Sequence, residues 1–277
     1  MGTLYVVATP IGNLEDITFR AVRVLKEVRL IAAEDTRKAL RLLSAYDIHT
    51  PLESYHRHSP RSKLASLLAA LADRDVALIS EAGMPGISDP GQELISAALE
   101  RGTPVVPVPG PSALLTALVV SGLPTDRFLY LGFLPRVRHD RRRLLESVAR
   151  LPYTLVLFEA PHRLLAALAD LEDVLGDRRA AAARELTKKH EEVVRGRISD
   201  LRATFEERLP RGEFTLVVGP PEEPTQGGKA HDYRDLLDLA KELRSEGLSG
   251  KDAICRLMEE TGAGRREAYR AWLESEK

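Results

Sequence analysis

Short apolar runs and amphipathic stretches take turns along most of this chain, and that alternation limits the fold more than any other feature. Leu4–Ala8, Leu30–Ala33, Val76–Ile79 and Val105–Val108 have the length and apolar content of buried strands. Between and after them lie helical patterns. The helix after the first strand carries Phe19, Val22 and Leu25 and can be capped by Asp16 or Thr18; others are expected at 38–46, 61–72, 93–101 and 113–121. Strand and helix in strict alternation predict a mostly parallel, doubly wound sheet. Gly122–Asp126 reads as a boundary. Beyond it, strands at 128–133, 154–158, 180–183 and 214–218 mix with helices at 138–150 and 163–175 and a short hairpin at 193–197. That mixture predicts a second, partly antiparallel sheet. The expected organisation is an α/β domain at 1–122, a second α/β domain at 123–220, a linker at 221–230 and a helical module at 231–277.

The linker is assigned by the composition of Pro220–Lys229, PPEEPTQGGK, at the end of the second domain. The module after it reads as three short helices separated by glycine-containing turns, the second capped by Ser249, and resembles a helix-turn-helix unit. Ten basic and eleven acidic residues from Lys229 to Lys277 mean that it is not a basic arm. It can serve equally as a packing bundle or as an RNA contact.

At 277 residues, 44% hydrophobic and 29% charged, the chain has the means for a sizeable core. A net charge of −1 argues against holding nucleic acid by overall charge and leaves a local patch open. The single cysteine, Cys255, excludes an intramolecular disulfide, and its neighbours Ile254 and Leu257 suggest a core position. The opening residues MGTLYVVATP lack a basic region followed by a long apolar run, and no stretch approaches the length of a membrane span. A cytoplasmic protein with no membrane partner is expected.

Ser80–Gly91, reading SEAGMPGISDPG, is the stretch most suggestive of a site. Proline stiffens such a loop and glycine lets a ligand approach its backbone. In an α/β sheet it lies at the carboxyl end of a strand, where ligands bind. Pro109-Gly110-Pro111-Ser112 opens a helix; Ser112 is either a simple N-cap or part of an anion site made by free N–H groups. Glu34, at the end of the second strand, can bind a ribose or, with Asp35, simply start the next helix. Arg136, Arg138, Arg141, Arg142 and Arg143 form one dense basic cluster balanced locally by Asp140 alone, which favours a polyanionic substrate over a solvated helix face. His56 and His58, beside Arg57, suit a polar surface better than a metal site, and no metal is expected. Neither a Walker-type loop, nor G-x-G-x-x-G after the first strand, nor a Gly-x-Ser-x-Gly elbow is present.

Seven stretches in order carry a resemblance: LYVVATPIGNLEDIT (Leu4–Thr18), AEDTR (Ala33–Arg37), SEAGMPGISDPG, VPGPSA (Val108–Ala113), FLPR (Phe133–Arg136), EAPHR (Glu159–Arg163) and RELTKKHEE (Arg184–Glu192). Together they resemble the tetrapyrrole methylase superfamily, in the branch that methylates small-subunit ribosomal RNA. The resemblance implies two α/β domains, S-adenosylmethionine held between them as methyl donor, and a homodimer. It implies as acceptor a cytidine 2′-hydroxyl in small-subunit (16S) ribosomal RNA, free or in the assembled 30S subunit. The alternatives are a tetrapyrrole-precursor methyltransferase and a non-catalytic RNA-binding relative. By motif, the donor site would draw on Pro10, Gly83, Met84, Ile87, Ser112, Ala113, Phe158, Arg184 and Thr215. The branch usually carries Asp, Thr and Ser where this chain has Glu81, Met84 and Ala160. Methyl transfer to a ribose hydroxyl benefits from a nearby base, for which Glu34, Asp35, Glu81, Glu185 and Lys188 are the candidates; Glu185 and Lys188 can equally form a surface pair. Arg37, Arg136 and Arg163 are candidate phosphate contacts beside the arginine cluster.

Overall fold

The computed structural model describes residues 2–275 except Arg57, His58, Pro90, Leu209, 223–232, Gly262 and Gly264, together with the side chains of Arg234, Glu259, Arg265 and Arg266. The Arg57–His58 reading and most of the expected linker therefore lie outside the described residues. The chain divides into two compact units, Met1–Pro221 and Glu222–Lys277.

In the first unit, strands β1 (Leu4–Val7), β2 (Leu30–Ala33), β3 (Leu52–Ser54), β4 (Val76–Ile79) and β5 (Val105–Val108) form a wholly parallel sheet in the order β3-β2-β4-β1-β5. Successive side chains face opposite sides, so each strand feeds two cores. Val7, Ile31 and Ile79 meet helices α1 (Phe19–Glu27) and α2 (Thr36–Ala45) on one face. Leu4, Val76 and Leu78 meet α3 (Arg61–Ala70) and α4 (Gly91–Glu100) on the other. From β1 the chain crosses to β2 over one face, and from β4 it crosses to β5 over the opposite face. Strands β1 and β4 are neighbours, so a crevice opens at their carboxyl ends.

Helix α5 (Ala113–Val120) leaves this sheet and packs Ala117 and Leu118 against Val156, Ala181 and Val217 of a second sheet. That sheet comprises β6 (Phe128–Phe133), β7 (Thr154–Glu159), β8 (Arg179–Arg184), β9 (Glu192–Arg197) and β10 (Phe214–Val218), ordered β6-β7-β10-β8-β9. Only β6 and β7 run parallel; the other pairs are antiparallel. Helices α6 (Arg138–Val148), α7 (Leu164–Leu175) and α8 (Ile198–Glu207) bury Leu145, Leu168, Leu201 and Phe205 on its outer face. The stretch expected as a hairpin at 193–197 is instead the outer part of β9, laddered onto β8 from Arg184↔Glu192 to Arg179↔Arg197. It runs into α8, whose first turn is opened by the Asp200 carboxylate accepting the Arg197 N–H at 2.8 Å.

The second unit contains α9 (Tyr233–Ser245), α10 (Gly250–Thr261) and α11 (Arg265–Glu274) around Leu236, Ala240, Leu257 and Ala271. Ser249 caps α10, accepting from the Asp252 N–H at 3.3 Å. Cys255, expected in this core, is exposed. Ala253 and Leu257 occupy the inward stripe of α10, and a residue midway between two positions four apart projects from the other side. No helix among the described residues is long and apolar enough to cross a membrane.

Candidate active site

A cleft enclosing about 940 Å³ up to its open mouth lies between the carboxyl ends of the first sheet and the inner face of the second. The first sheet contributes Ile11 after β1, Glu34 after β2, and Ser80, Glu81, Ile87 and Asp89 after β4. The second contributes Phe133, Phe158, Ala183 and Thr215, with Glu185, Leu186 and Lys188 from the turn after β8. Ala113 lines it from the start of α5.

The glycine-rich loop is built into this wall rather than draped over it. Gly83 and Thr9 exchange two backbone hydrogen bonds, 2.9 and 3.0 Å, that tie the loop to the end of β1. The Thr9 hydroxyl donates to the Ser80 carbonyl at 3.2 Å, and the Ser80 hydroxyl donates to the Gly83 carbonyl at 3.1 Å. Gly83 and Gly86 sit at φ +81° and +90°, where a side chain would be strained. The Asp89 carboxylate accepts the N–H groups of Gly86 and Gly91 and so closes the loop on itself. Burial pushes its pKa above the ordinary value despite those two bonds. Ser88, a non-glycine at φ +62°, reaches the Tyr130 hydroxyl on β6 at 2.7 Å and ties the two walls together. On the opposite side the Asn13 N–H donates to the Thr187 hydroxyl at 2.9 Å.

Four of the five acid–base candidates, Glu34, Glu81, Glu185 and Lys188, line the cleft. Glu81 is paired with Lys38, and that hydrogen bond raises the lysine's pKa. Glu185 and Lys188 form an ion pair at 2.9 Å. Their turn is strained, with Glu185 at φ +50° and Thr187 at φ +65°. Gly212 lies so close that an added Cβ would strike the Glu185 carboxylate. Asp35 is turned elsewhere: it caps α2, accepting the Arg37 and Lys38 N–H groups at 2.8 and 3.3 Å. The Arg37 bond, foremost, holds its carboxyl below the usual range.

Of the residues expected around a donor, Ile87, Ala113, Phe158 and Thr215 line the cleft. Pro10 is buried behind it, and Gly83 forms the bridge to Thr9. Met84 packs against the core that α3 and α4 cover. Ser112 acts as the N-cap of α5, accepting from the Leu115 N–H at 3.4 Å. Arg184 is held by Glu192 at 2.6 Å. The sequence reading missed Phe133, Ser88 and Asp89 in the wall, although each stands inside a motif it had singled out.

The arginine cluster needs correction. Arg141 is buried, with its Nε 2.7 Å and its Nη2 2.6 Å from the Asp170 carboxylate. Arg138 and Arg142 reach the same carboxylate at 3.0 and 3.4 Å. Arg163 donates to the Leu134 carbonyl at 2.6 Å and pairs with Glu159 at 3.3 Å. Arg141 and Arg163 are thus held by internal acceptors. Arg37, Arg136 and Arg143 are exposed. Among the described residues no group of three or more His, Cys, Asp or Glu is placed to hold a metal ion.

Comparison with known proteins bears on this arrangement. The family described as Tetrapyrrole (Corrin/Porphyrin) Methylases matches residues 3–202. The ribosomal RNA small subunit methyltransferase I of Synechocystis sp. is 48% identical over 100% of this chain and 99% of its own length. The Bacillus subtilis protein of the same name is 42% identical over 98% of this chain and 94% of its own. Among solved structures, uroporphyrin-III-C-methyltransferase from Thermus thermophilus superposes with a TM-score of 0.54 at 26% identity, covering 79% of this chain and 94% of that one.

Proposed function

The chain belongs to the tetrapyrrole (corrin/porphyrin) methylase family, and from that membership we propose that it transfers a methyl group from S-adenosylmethionine to a cytidine 2′-hydroxyl in small-subunit (16S) ribosomal RNA. One observation carries the reading. Six of the seven family-like stretches each contribute at least one residue to a single cleft: Ile11, Glu34, Ser80, Ala113, Phe133 and Glu185; the seventh begins directly after the cleft residue Phe158.

The residues present fit such a donor. Ile11 and Ile87 line the cleft beside the loop that Gly83 and Gly86 turn at positive φ, Phe158 offers an aromatic wall, and the start of α5 supplies N–H groups toward a carboxylate. When bound, the donor supplies a sulfonium methyl whose carbon–sulfur bond breaks as a carbon–oxygen bond to the ribose forms. The protein's part is to hold the attacking oxygen in line, which accounts for much of the acceleration in reactions of this kind. Its other part is to take the hydroxyl proton. We assign that role to Glu185: it lines the cleft, its backbone is strained into position, and Lys188 at 2.9 Å holds the carboxylate. Asp35 is committed to capping α2, and Glu34 and Glu81, which also line the cleft, are the other candidates. Exposed Arg37, Arg136, Arg138 and Arg143 and the partly exposed Arg142 are the remaining phosphate contacts. The reading also carries a homodimer, supported by the exposed apolar residues Leu115, Val119 and Val120 on α5, and a cytoplasmic location, where ribosomal RNA is found.

Labelled methyl transfer tests the proposal, with 30S subunits from cells lacking the endogenous enzyme, free 16S RNA and a tetrapyrrole precursor as parallel acceptors. Label recovered in one 2′-O-methylcytidine is the expected result. Label in the tetrapyrrole alone overturns it. Glu185→Gln should lower the transfer rate by about 10²–10⁴-fold while donor affinity persists; a normal rate would remove Glu185 from the mechanism.

A further inference from the structure

The segment Phe133–Arg136 is held with a rigidity that a connecting loop does not need. Arg163 donates to the carbonyls of Leu134 and Pro135 at 2.6 and 3.1 Å. Arg141 donates to those of Pro135 and Arg136 at 3.3 and 3.4 Å. Both guanidinium groups are anchored from behind, Arg141 by Asp170 and Arg163 by the fully buried Glu159. Three consecutive carbonyls thus receive four charge-assisted hydrogen bonds.

Two side chains are aimed by this brace. Phe133 lines the cleft yet remains 47% exposed. Its ring leans against Phe158, with centroids 5.6 Å apart and planes at 58°, and Phe158 is met edge-on by Tyr130 at 5.3 Å. The pair thus presents one supported aromatic surface. Three residues on, Arg136 is exposed and forms no ion pair among the described residues. An aromatic face at the mouth of a cleft, fixed a few residues from a free guanidinium, suits an unstacked nucleotide: the base stacks and the phosphate pairs.

We infer that Phe133 and Arg136 form the subsite for the acceptor nucleotide, the base of the splayed-out residue lying on Phe133 and an adjacent phosphate on Arg136. The inference rests on the RNA-methylation reading and deepens it. A 2′-hydroxyl reaches the floor of a cleft only if its nucleotide leaves the helical stack, and an enzyme that extracts a base must give that base a surface. The arginines that resemble RNA contacts in the sequence then serve the RNA indirectly, by bracing the residues that touch it.

The test uses the full chain with Phe133→Leu, Phe133→Trp and Arg136→Gln. Donor affinity is measured by calorimetry and methyl transfer at varied RNA and salt. Phe133→Leu should raise the RNA KM about ten-fold while leaving donor affinity and the melting temperature unchanged; Phe133→Trp, which keeps a ring, should stay within about two-fold of the parent. Arg136→Gln should weaken RNA binding and reduce its salt slope by about one. An unchanged RNA KM in Phe133→Leu overturns the subsite. So does weakened donor binding with an unchanged RNA KM, which would assign the ring to the donor's adenine. Failure of the unaltered enzyme to methylate any RNA refutes the underlying reading instead, before a variant is compared.

Discussion

Asp170→Asn removes one charge from the centre of the arginine network, and its cost follows from the geometry. The Asp170 side chain is 1% exposed and that of Arg141 7%. Arg138 and Arg142, at 68% and 32%, also touch Asp170 but can turn to water or to Asp173. Arg141 has no such escape, so an amide at position 170 leaves a buried guanidinium without its counter-charge. Breaking a buried pair from one side costs about 3–5 kcal/mol, whereas each exposed partner adds about 1 kcal/mol or less. At about 2–4 °C per kcal/mol for a domain of this size, the melting temperature should fall by roughly 6–20 °C. Scanning calorimetry beside the exposed control Arg143→Ala reads the effect. A shift under about 2 °C would refute the reading of Arg141 as a buried, paired cation and return it to the RNA-contacting set. Replacing both partners, Arg141→Met with Asp170→Leu, should recover part of the loss, because it leaves no charge stranded.

The same pair has a pH signature. Burial alone would raise the Asp170 pKa, but the hydrogen bonds from Arg138 and Arg141 outweigh it and hold the carboxyl low. A carboxyl depressed in the folded state contributes stability above its unfolded pKa of about 3.9 and loses it as pH falls through the folded value. The melting temperatures of the parent and Asp170→Asn should therefore converge in acid and stand furthest apart near neutrality.

Two further expectations concern residues outside that network. At Gly12 an added Cβ would lie 2.8 Å from the Leu186 carbonyl and 2.8 Å from the Thr187 hydroxyl, so Gly12→Ala should push the first wall off the Glu185–Lys188 turn; kcat should drop on the order of 10²-fold with donor affinity largely kept, and an unchanged kcat would show that this contact does not set the cleft. Burial, followed by the charge of Glu93, pushes the Tyr55 pKa up to about 12. The folded state then holds that proton more tightly than the unfolded chain, so the stabilisation is present below pH 10 and lost between pH 10 and about 12. Tyr55→Phe should flatten that alkaline limb in denaturation followed against pH, and an identical limb would be evidence against the shift.

Much of the fold was legible because the strands announce themselves. Val76–Ile79 is an uninterrupted apolar run and Phe214–Val218 is broken only by Thr215, and such runs are stable only when covered on both faces. The first sheet's parallel order follows from a helix between each successive pair. Local pattern failed where pairing decided the outcome. Arg195-Gly196-Arg197 looks like a turn, yet it completes β9 because β8 offers an edge, Arg179 to Ala181, on which it can ladder. The arginine cluster failed for a related reason, since counting charges says nothing about where their partners lie. A helical period would have helped: Arg141 shares its stripe with Leu145 and Val148, and Asp170 stands beside the buried Leu171 on α7. A cation and an anion that each break an apolar stripe, on helices covering the same sheet, are candidates for one another.

The site was legible as a set of motifs and not as a surface, and the difference lies in strand order. Phe133 and Phe158 come together because β6 and β7 pair in parallel with those two residues in register, past a bulge between Tyr130 and Gly132. That bulge, with Gly132 at φ +65° and 3.4 Å from the Ser88 hydroxyl at its would-be Cβ, also brings the glycine-rich loop of the first sheet onto the second. Neither pairing has a local signature, because each joins segments 25 or more residues apart. Sequence motifs identified which stretches mattered; the sheet register determined which atoms of those stretches share the cleft, and left Asp35, Arg141 and Arg163 to hold the walls in place.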